Sequence, residues 1–595
     1  MKKIFTFIVA CVAAVSAMAQ MPSTMNFVGD AEFWLSQEKN ATFVTQVKDD
    51  VQVIMGDNET QSITIPDMVF DKGEFSATVK SFTISGLSYT ATNDPTSGMV
   101  ISWTSDKFTS TTTGTDDETK SISGSDLKAT YTHATGVLAV TFTLKYESIE
   151  KDVVYSFKGY YTDTDNKWKL AGRGTEANPY RIFDAADFTA MATNYNAESN
   201  TGKGEYFLMM NDINFGGTAE NPVQFPAIGK NADLSIANVV GGFDGTFDGG
   251  NHTISGIYHT NIANDANGKY NGLFSFADTN AVIKNIIMDE ENHLCGYNYV
   301  GAIVSINQGT IENCVNKADI TAANFAAAGI CGFMVKGNGT VKNCENYGDI
   351  KAMTYASGIC GGSQSGTSLT TYNYLIDNCI NHGDLATTNG VGAAGIAGSY
   401  SGAVTNCINH GDADDTKGSA NSRQYTAGIV SCITYPTKIE NCTNNGAISG
   451  VNNVGGIVGC VFKGDDTAFT LNGCTNNGTV SGEGTNIAGI VGNSKRSTAD
   501  KVSVEKCTNN GKVTSTGTTE LLGNIRGSEN ITVGDGNTIS ESLEKLPLDT
   551  DNITTGIDDV TAKENATIAD GKYLKNGQIV IVKNGKTYNV LGIEQ

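Results

Sequence analysis

The sequence predicts an all-β protein with an N-terminal antiparallel β-barrel, a right-handed parallel β-helix of about ten coils and a short C-terminal β-hairpin. Three observations support this fold class. The 595 residues include 68 Gly but only 8 Pro, and tracts of Asn, Thr and Ser are long, which favours short strands and tight turns over helical bundles. Apolar and polar residues alternate between 25 and 161, and a Cys-x-Asn motif recurs between 300 and 515.

The N-terminus has the three parts of a cleaved signal peptide over residues 1–19. Lys2 and Lys3 precede an apolar run from Ile4 to Val15, and Ala17-Met18-Ala19 provides a small-residue cleavage site. An alternative lipoprotein interpretation makes Cys11 the lipidated first residue, but it leaves a very short apolar core and an apolar mature end. The sequence therefore predicts export, to the outside of the cell or to the outer-membrane surface.

The charge and hydropathy of the chain exclude two classes of interaction. The chain has a net charge of −23, whereas a surface that binds nucleic acid is positively charged and rich in Lys and Arg. No segment after the signal peptide reaches the ~20 continuous apolar residues of a membrane-spanning helix. We therefore expect no nucleic acid partner and no transmembrane helix.

Residues 20–167 have the alternating pattern of an antiparallel sheet. SFTISGLSYTAT at 81–92 and GVLAVTFTLKY at 136–146 are two of about eight to ten such runs, enough for a small barrel or a sandwich. The segment LKATYTHATGVLAVTFTLKYESIEKDVVYSFKGYYT resembles the last strands of the calycin-like β-barrel domain of exported Bacteroidota proteins. Calycin relatives often hold a small apolar ligand, so the resemblance makes Trp34 and Trp103 candidates for lining such a cavity. The alternative is that both belong to the barrel core.

Residues 168–540 begin with a different set of motifs. AGRGTEANPYRIFDAADFTAMA at 171–192 is followed by FLMMNDINF at 207–215 and GGFDGTFDGGNHTISGI at 241–257. Together they resemble the opening coils of the right-handed parallel β-helix that precedes GLUG-type repeats in surface proteins and in some immunoglobulin A peptidases. The segment from Ala185 to Ala192 is a candidate cap for the first end of the β-helix. HExxH is absent, so the resemblance does not extend to the peptidase part.

Seven repeats align on cysteines that lie 28 to 35 residues apart, the spacing of a solenoid. Asn stands two positions after each Cys, and Gly stands four after it except at Ala318. A second motif, GICG or a variant such as GIVG, lies between these units. Each repeat therefore has two or three short strands separated by Gly or Asn corners, as in one coil of a β-helix. The predicted structural ladder consists of Cys314, Cys344, Cys379, Cys407, Cys442, Cys474 and Cys507 with Asn316, Asn346, Asn381, Asn409, Asn444, Asn476 and Asn509.

The ladder cysteines are predicted to be buried free thiols. Of the 13 cysteines, Cys11 belongs to the signal peptide, and the even number that remains in an oxidising compartment makes some disulfides the alternative. Stacked coils place equivalent cysteines about 4.8 Å apart, but their parallel Cβ vectors disfavour the ~90° torsion of a disulfide. The third position of the second motif accepts Cys331, Cys360, Ala397 and Val430, as expected of a small apolar position.

No metal or cofactor is predicted. Zinc needs three or four converging ligands, usually in close pairs, and one thiol per coil cannot supply them. His382 and His410 occupy the same repeat position, where the other repeats have varied polar residues that indicate an outward face. Calcium is compatible with the acidic composition, but no motif supports it.

The repeated Asn residues are predicted to form an amide ladder. An Asn at a coil corner can donate to and accept from the same residue in the next coil, and it tolerates turn geometry. The Gly two positions later is expected to provide either a positive φ or a close backbone approach.

Catalysis on the β-helix is an alternative, because parallel β-helices include polysaccharide lyases and hydrolases with carboxylates on an outer face. Candidate acids are Asp244 with Asp248, or Asp349 with Asp384. Asp beside Gly is also a common turn former, and neither a P-loop nor a nucleophile elbow is present.

These observations favour a non-enzymatic, adhesin-like binding protein. The β-helix would act as a rigid recognition platform for an extended glycan or for a host or matrix protein. The alternatives are a polysaccharide lyase or glycoside hydrolase on the β-helix face, and a carrier of a small lipophilic ligand in the barrel.

Residues 541–595 are predicted to be a polar linker followed by a hairpin around Lys583-Asn584-Gly585. This ending resembles the short C-terminal segments of many exported Bacteroidota proteins. Some of those segments are sorting signals for type IX secretion, which would make export machinery a partner.

Overall fold

The computed structural model of the chain describes residues 21–55, 61–72, 75–94, 98–114, 117–146, 151–163, 166–197, 203–229, 241–265, 268–365, 372–389, 391–416, 424–462, 468–517, 521–550, 553–556, 571–575, 578–583 and 586–588. Strands account for 54% of the structure and helices for 4%, which confirms the predicted all-β class. The chain divides into two compact units. The first contains Met1–His259, Leu273–Asn292 and Gly309–Glu312, and the second contains Thr260–Gly272, His293–Gln308 and Asn313–Gln595.

The first unit begins with antiparallel strands and a short helix, α1 (Lys39–Thr42). The strands are β1 (Thr24–Leu35), β2 (Val44–Ile54), β3 (Gln61–Ile65), β4 (Met68–Lys72), β5 (Phe75–Val79), β6 (Phe82–Leu87), β7 (Tyr89–Asp94), β8 (Gly98–Thr113), β9 (Thr119–Thr132), β10 (Val137–Tyr146) and β11 (Val153–Thr162). Nine of them form one sheet in the order β6-β3-β2-β1-β11-β10-β9-β8-β7, and β4 pairs with β5.

This nine-stranded sheet is nearly closed, because side chains of β8 reach β6 across the seam. The Ser110 hydroxyl donates to the carbonyl of Thr83, and the Thr112 hydroxyl donates to the carbonyl of Lys80, each over 2.7 Å. Alternate residues of the strands face inward and form one apolar core. The predicted barrel is therefore confirmed as a nearly closed antiparallel sheet.

Helix α2 (Ala185–Ala197) follows the barrel and is longer than the predicted capping segment. It buries Phe188, Met191, Ala192 and Tyr195, and the Phe188 ring stacks on Phe247 with centroids 5.3 Å apart. The apolar face of α2 thus covers the opening coils of the first unit. The strands of these coils are Tyr180–Ile182, Tyr206–Met209, Ile213–Asn214, Thr246–Asp248, Thr253–Ser255, Phe274–Ala277, Val282–Lys284, Ile287–Met288 and Thr310–Glu312.

The second unit contains a parallel β-solenoid in which each coil adds a short strand to each of several stacks. The stack with the repeated Asn residues contains Val315–Asn316, Glu345–Asn346, Ile380–Asn381, Ile408–Asn409, Thr443–Asn444, Thr475–Asn476, Thr508–Asn509, Thr538–Ser540 and Thr554–Gly556. The next stack along each coil contains Leu294–Gly296, Ile320–Ala322, Ile350–Ala352, Leu385–Thr387, Ala413–Asp414, Ile448–Gly450, Val480–Gly482 and Val513–Ser515. The third contains Tyr270–Asn271, Tyr299–Gly301, Ala326–Ala328, Tyr355–Ser357, Gly392–Ala394, Thr426–Ala427, Val454–Gly455, Ile487–Ala488 and Leu522–Gly523.

The fourth side of the solenoid is wider, because it has two strand positions per coil that merge into one strand in two of the coils. Its strands are Val304–Asn307, Cys331–Met334, Asn338–Lys342, Cys360–Gly362, Asn373–Asp377, Ala397–Thr405, Val430–Glu440, Val458–Val461, Phe469–Asn472, Val491–Ser494, Val502–Glu505 and Thr532–Val533. A single turn of 3-10 helix, Ala499–Lys501, interrupts this side.

The solenoid has about eight turns, fewer than the ten predicted. The stack that begins at Leu294–Gly296 has one strand per complete coil and eight strands in all. The opening coils before it have strands in only some of the stacks, so they do not add full turns to this number.

The C-terminal end forms a small antiparallel sheet of Gly571–Lys575, Gln578–Lys583 and Lys586–Tyr588. Lys583 pairs with Lys586, which confirms the predicted hairpin, whereas the strand Gly571–Lys575 was not predicted. The predicted signal peptide and Cys11 lie outside the described residues. In the part of the chain that the structure describes, no helix is long and apolar enough to cross a membrane.

Candidate functional site

The repeat cysteines form one buried column inside the solenoid, and each of the seven is 0% exposed. The six thiols from Cys344 to Cys507 donate to the carbonyl two residues earlier, as Cys407 does to Thr405 over 3.1 Å and Cys442 to Glu440 over 3.3 Å. Burial raises the pKa of the Cys379 and Cys407 thiols well above the ordinary value, which opposes thiolate chemistry. Among the described residues no cysteine is in a disulfide.

The two cysteines of the GICG motifs occupy a second buried column. Cys331 pairs in register with Cys360, and Cys360 with Ala397. The same column continues through Val430 and Val458. The thiols therefore occupy positions that small apolar side chains fill in other coils.

The repeated Asn residues are fully buried and hydrogen-bonded from coil to coil. Each amide donates one N–H to the side-chain oxygen of the next Asn, as Asn409 does to Asn444 over 2.8 Å. Its second N–H goes to the carbonyl two residues later, as from Asn444 to Gly446 over 2.9 Å. The same pair of bonds recurs at Asn316, Asn346, Asn381 and Asn476. Because both donors are satisfied inside the protein, this polar column is compatible with a dry interior.

The corner of each coil depends on two residues with different roles. A Cβ added at Gly446 would lie 1.9 Å from the carbonyl oxygen of Gly411, so this Gly permits close approach of neighbouring coils. The left-handed conformation falls instead on the residue before each Cys, for example Asn406 and Asn441 with φ of 55°. The sequence analysis missed this position, although Asn precedes Cys in five of the seven repeats and is the non-Gly residue that tolerates positive φ best.

The residues one, three and five positions after each repeat Cys point away from the interior, and we call them the repeat face. All are exposed or half-buried. The first row is Val315, Glu345, Ile380, Ile408, Thr443, Thr475 and Thr508; the second is Lys317, Tyr347, His382, His410, Asn445, Asn477 and Asn510; the third is Asp319, Asp349, Asp384, Asp412, Ala447, Thr479 and Lys512.

The second row of the repeat face is continuous over several coils. The ring of Tyr347, which is 48% exposed, stacks on His382 with centroids 4.3 Å apart and an interplanar angle of 6°. His382 stacks on His410 at 5.1 Å, and the amide of Asn445 lies 3.2 Å from His410 Nδ1. The row then continues as hydrogen-bonded amides through Asn445, Asn477 and Asn510.

The two histidines of this row form no recognisable metal centre. Partial burial, the charge of His410 and the nearby Glu345 act on His382, and the net effect lowers its pKa. In the described part of the chain, no group of three or more His, Cys, Asp or Glu side chains is arranged to hold a metal ion.

The third row connects neighbouring coils through carboxylates. The backbone N–H of Asp349 donates to Asp319 over 2.8 Å, that of Asp384 to Asp349 over 2.9 Å, and that of Asp412 to Asp384 over 2.9 Å. The candidate acids Asp349 and Asp384 are therefore exposed neighbours, each with one oxygen bonded to the next coil. This arrangement adds a row of negative charge beside the aromatic row.

The other candidate acids, Asp244 and Asp248, lie in the opening coils. Asp244 is 7% exposed and accepts the backbone N–H of Asn280 over 3.0 Å. Asp248 accepts the amide of Asn285 over 2.8 Å and is 3.5 Å from the Lys284 ammonium. Both carboxylates thus connect adjacent coils of the first unit.

The two barrel Trp residues lie on opposite faces of the sheet. Trp103 is 0% exposed inside the core and donates its indole N–H to Gln61. Trp34 lies outside the barrel, where its ring packs beside Phe43 and 4.3 Å below the Lys39 ammonium. Trp34 therefore does not line the barrel interior, because the inward positions of β1 are the residues on either side of it.

No family model matches the chain. Halomucin of Haloquadratum walsbyi (strain DSM 16790 / HBSQ001) is 29% identical over 158 residues, which is 26% of this chain and only 2% of halomucin. A crystal structure of a presumptive immunoglobulin A1 protease from Bacteroides ovatus is 17% identical, covering 71% of this chain and 94% of that one with a TM-score of 0.33.

Proposed function

We propose that this protein is an exported or cell-surface binding protein whose solenoid recognises an extended ligand, a glycan or a host or matrix protein, without catalysis. The observation that supports this function is the continuous second row of the repeat face. Its side chains are held in fixed register by the coils beneath them, so a long ligand meets a preorganised surface.

The chemistry of the repeat face suits a polar, extended ligand. The stacked rings of Tyr347, His382 and His410 offer aromatic edges, and the amides beyond them both donate and accept hydrogen bonds. Successive coils repeat these groups at intervals of about 4.8 Å, so a repeating ligand can use the same contacts several times.

The proposed location rests on the N-terminal sequence pattern, with its two Lys, its apolar run and its Ala-Met-Ala site. Absence of catalysis is proposed because the carboxylates weighed as catalytic acids bond to neighbouring coils.

An array of glycans and matrix proteins, probed with the chain from residue 20 to 595, tests this function. The variant Tyr347→Ala/His382→Ala/His410→Ala should lose binding by tenfold or more, about 1.4 kcal/mol. The double variant Thr321→Ala/Lys351→Ala changes outward residues of the adjacent strand stack and serves as the matched control, with binding unchanged.

Two outcomes would contradict the proposal. Equal binding by the triple variant and the unchanged protein would remove the repeat face from recognition. Release of reducing or unsaturated sugar from a polysaccharide panel would make the protein an enzyme, and Asp349→Asn and Asp384→Asn would then identify the acids.

A further inference from the structure

We propose that the first unit contains a binding pocket for a neutral sugar, formed between the outer face of the barrel and the opening coils. This pocket is separate from the repeat face and does not rest on the function proposed above. Its volume is about 400 Å³, within the ~300–1,000 Å³ of small-ligand sites.

One wall of the pocket consists of residues of β1 and β11 that point away from the barrel core. Asp30 pairs across the strands with Lys158, and Glu32 pairs with Ser156. Among the described residues, neither Glu32 nor Lys158 is in an ion pair. This wall therefore offers carboxylate acceptors, an ammonium donor and a hydroxyl within two cross-strand pairs on the same face of the sheet.

The opposite wall is apolar and consists of Phe183 and Met210. The Phe183 ring lies 6.5 Å from the ring of Tyr160, with an angle of 45° between their planes. Phe183 is 3% exposed and the Arg181 guanidinium covers one face of Tyr160, so the C–H groups of a sugar ring can meet only the exposed remainder of these two rings.

Lys48 holds the two walls together. It sits at an irregularity of the β1–β2 pairing with a φ of 54°, and its backbone N–H donates to Asp30 over 3.2 Å. Its ammonium binds Asp184 at 2.7 Å and Asp187 at 2.9 Å, and Asp187 also accepts the backbone N–H of Phe183 over 3.0 Å. The carboxylate wall and the aromatic wall are thus connected through the backbone and the side chain of one residue, which preorganises the pocket.

The charged groups around the pocket are of both signs, with two carboxylates, Asp30 and Glu32, and one ammonium, Lys158. Arg181, which is 5% exposed, places its guanidinium 3.5 Å from the Tyr160 ring and occupies a face that a ligand ammonium would need. A cationic ligand would meet Lys158 beside the two carboxylates, and an anionic one would meet Asp30 and Glu32 beside the one ammonium, so neither charge is matched by all three groups. Sugar hydroxyls donate to carboxylates and accept from an ammonium, so a neutral sugar satisfies all of these groups.

Saturation-transfer NMR on the full chain tests the pocket with the methyl glycosides of glucose, galactose, mannose and N-acetylglucosamine. At least one of them should bind saturably. Glucosamine and glucuronate, which add an ammonium and a carboxylate to the same kind of ring, should bind more weakly. Glu32→Gln and Lys158→Gln should each weaken binding by about tenfold, the loss expected for one charged hydrogen-bond partner.

Matched controls separate this pocket from the repeat face. Asp106→Asn removes an exposed carboxylate elsewhere on the barrel and should leave binding unchanged, as should the triple variant Tyr347→Ala/His382→Ala/His410→Ala. The proposal is overturned if no neutral glycoside binds at tens of millimolar, if Glu32→Gln and Lys158→Gln bind as the unchanged protein does, or if a charged analogue binds more tightly.

Discussion

The barrel and the solenoid are both β-structures, but they fill their interiors in different ways. In the barrel, large aromatic residues from strands far apart in sequence meet, as where Phe33 lies 4.6 Å from Phe70 and Phe142 lies 4.7 Å from Tyr155. In the solenoid, interior columns repeat the same kind of residue from coil to coil, as where Cys331 pairs in register with Cys360 and Asn409 donates to Asn444.

This difference determines where stability resides. The barrel concentrates it in a few side chains of large buried area, whereas the solenoid distributes it over many nearest-neighbour contacts. The solenoid can also include a polar column in its interior, because each amide of that column is satisfied by the next one. Four predictions test this difference between the barrel and the solenoid.

The largest effect is expected for Phe142→Ala in the barrel. The ring is 2% exposed and packs against Phe108 and Tyr155, so its removal should lower the free energy of unfolding of the barrel by about 3–5 kcal/mol. Urea unfolding followed by Trp fluorescence measures it. Thr143→Ala, on the outward side of the same strand, is the control. Similar losses of unfolding free energy for both variants would mean that the buried aromatic rings do not dominate the stability of the barrel.

A smaller loss, about 3 kcal/mol, is expected for Asn444→Ala in the solenoid. The substitution leaves the amide of Asn409 and the side-chain oxygen of Asn476 without their partners in a buried column. The neighbouring Asn445→Ala, which is exposed, should change stability by no more than about 0.5 kcal/mol. Unfolding monitored by far-UV circular dichroism distinguishes them, and equal effects would show that the ladder is not a source of stability.

Each region also contains a buried acid with a raised pKa, Asp49 in the barrel and Asp415 in the solenoid, and both should make unfolding depend on pH. Burial raises the pKa of Asp49 in the barrel and of Asp415 in the solenoid from 3.8 to about 6. Between about pH 4 and 6 the folded state keeps a proton that the unfolded state loses, so the free energy of unfolding falls as the pH rises through that window. The expected size is on the order of 2 kcal/mol per group.

Asn substitutions assign each pH dependence to its region. Asp49→Asn should remove it from the barrel transition only, and Asp415→Asn from the solenoid transition only, in urea titrations at several pH values. The hydroxyls of Thr387 and Thr426 donate to the carboxyl group of Asp415 and partly offset the rise in its pKa that burial causes. A stability that rises with pH over this window would mean that these acids are ionised in the folded state.

The sequence predicts the solenoid better than it predicts the repeat face or the pocket. The repeats can be aligned, so the residues at each equivalent position can be compared. The interior positions of Cys407 and Asn409 follow from a spacing that is the same in all seven repeats, and that of Gly411 from a spacing kept in six of them. The number of turns does not, since the opening coils contain strand-like motifs without complete coils.

The pocket of the first unit could not be predicted from the sequence. Its walls bring Glu32 and Lys158 near Phe183, and these residues belong to segments with no common motif. The outward position of Trp34 could have been found, because strict alternation in β1 assigns Phe33 and Leu35 to the interior and Trp34 to the other face.

The smallest effect on stability is expected for the thiol column. Cys407→Ala removes one small buried group and should lower the free energy of unfolding by about 1 kcal/mol, since the backbone ladder of that coil remains.

The more informative measurement is a thiol titration without reductant. Burial makes these thiols inaccessible to a reagent, so the folded chain should react slowly, and all twelve described cysteines should react after denaturation. If several remain blocked in the denatured chain, the columns contain disulfides, and their contribution to solenoid stability would be covalent rather than a sum of contacts between neighbouring coils.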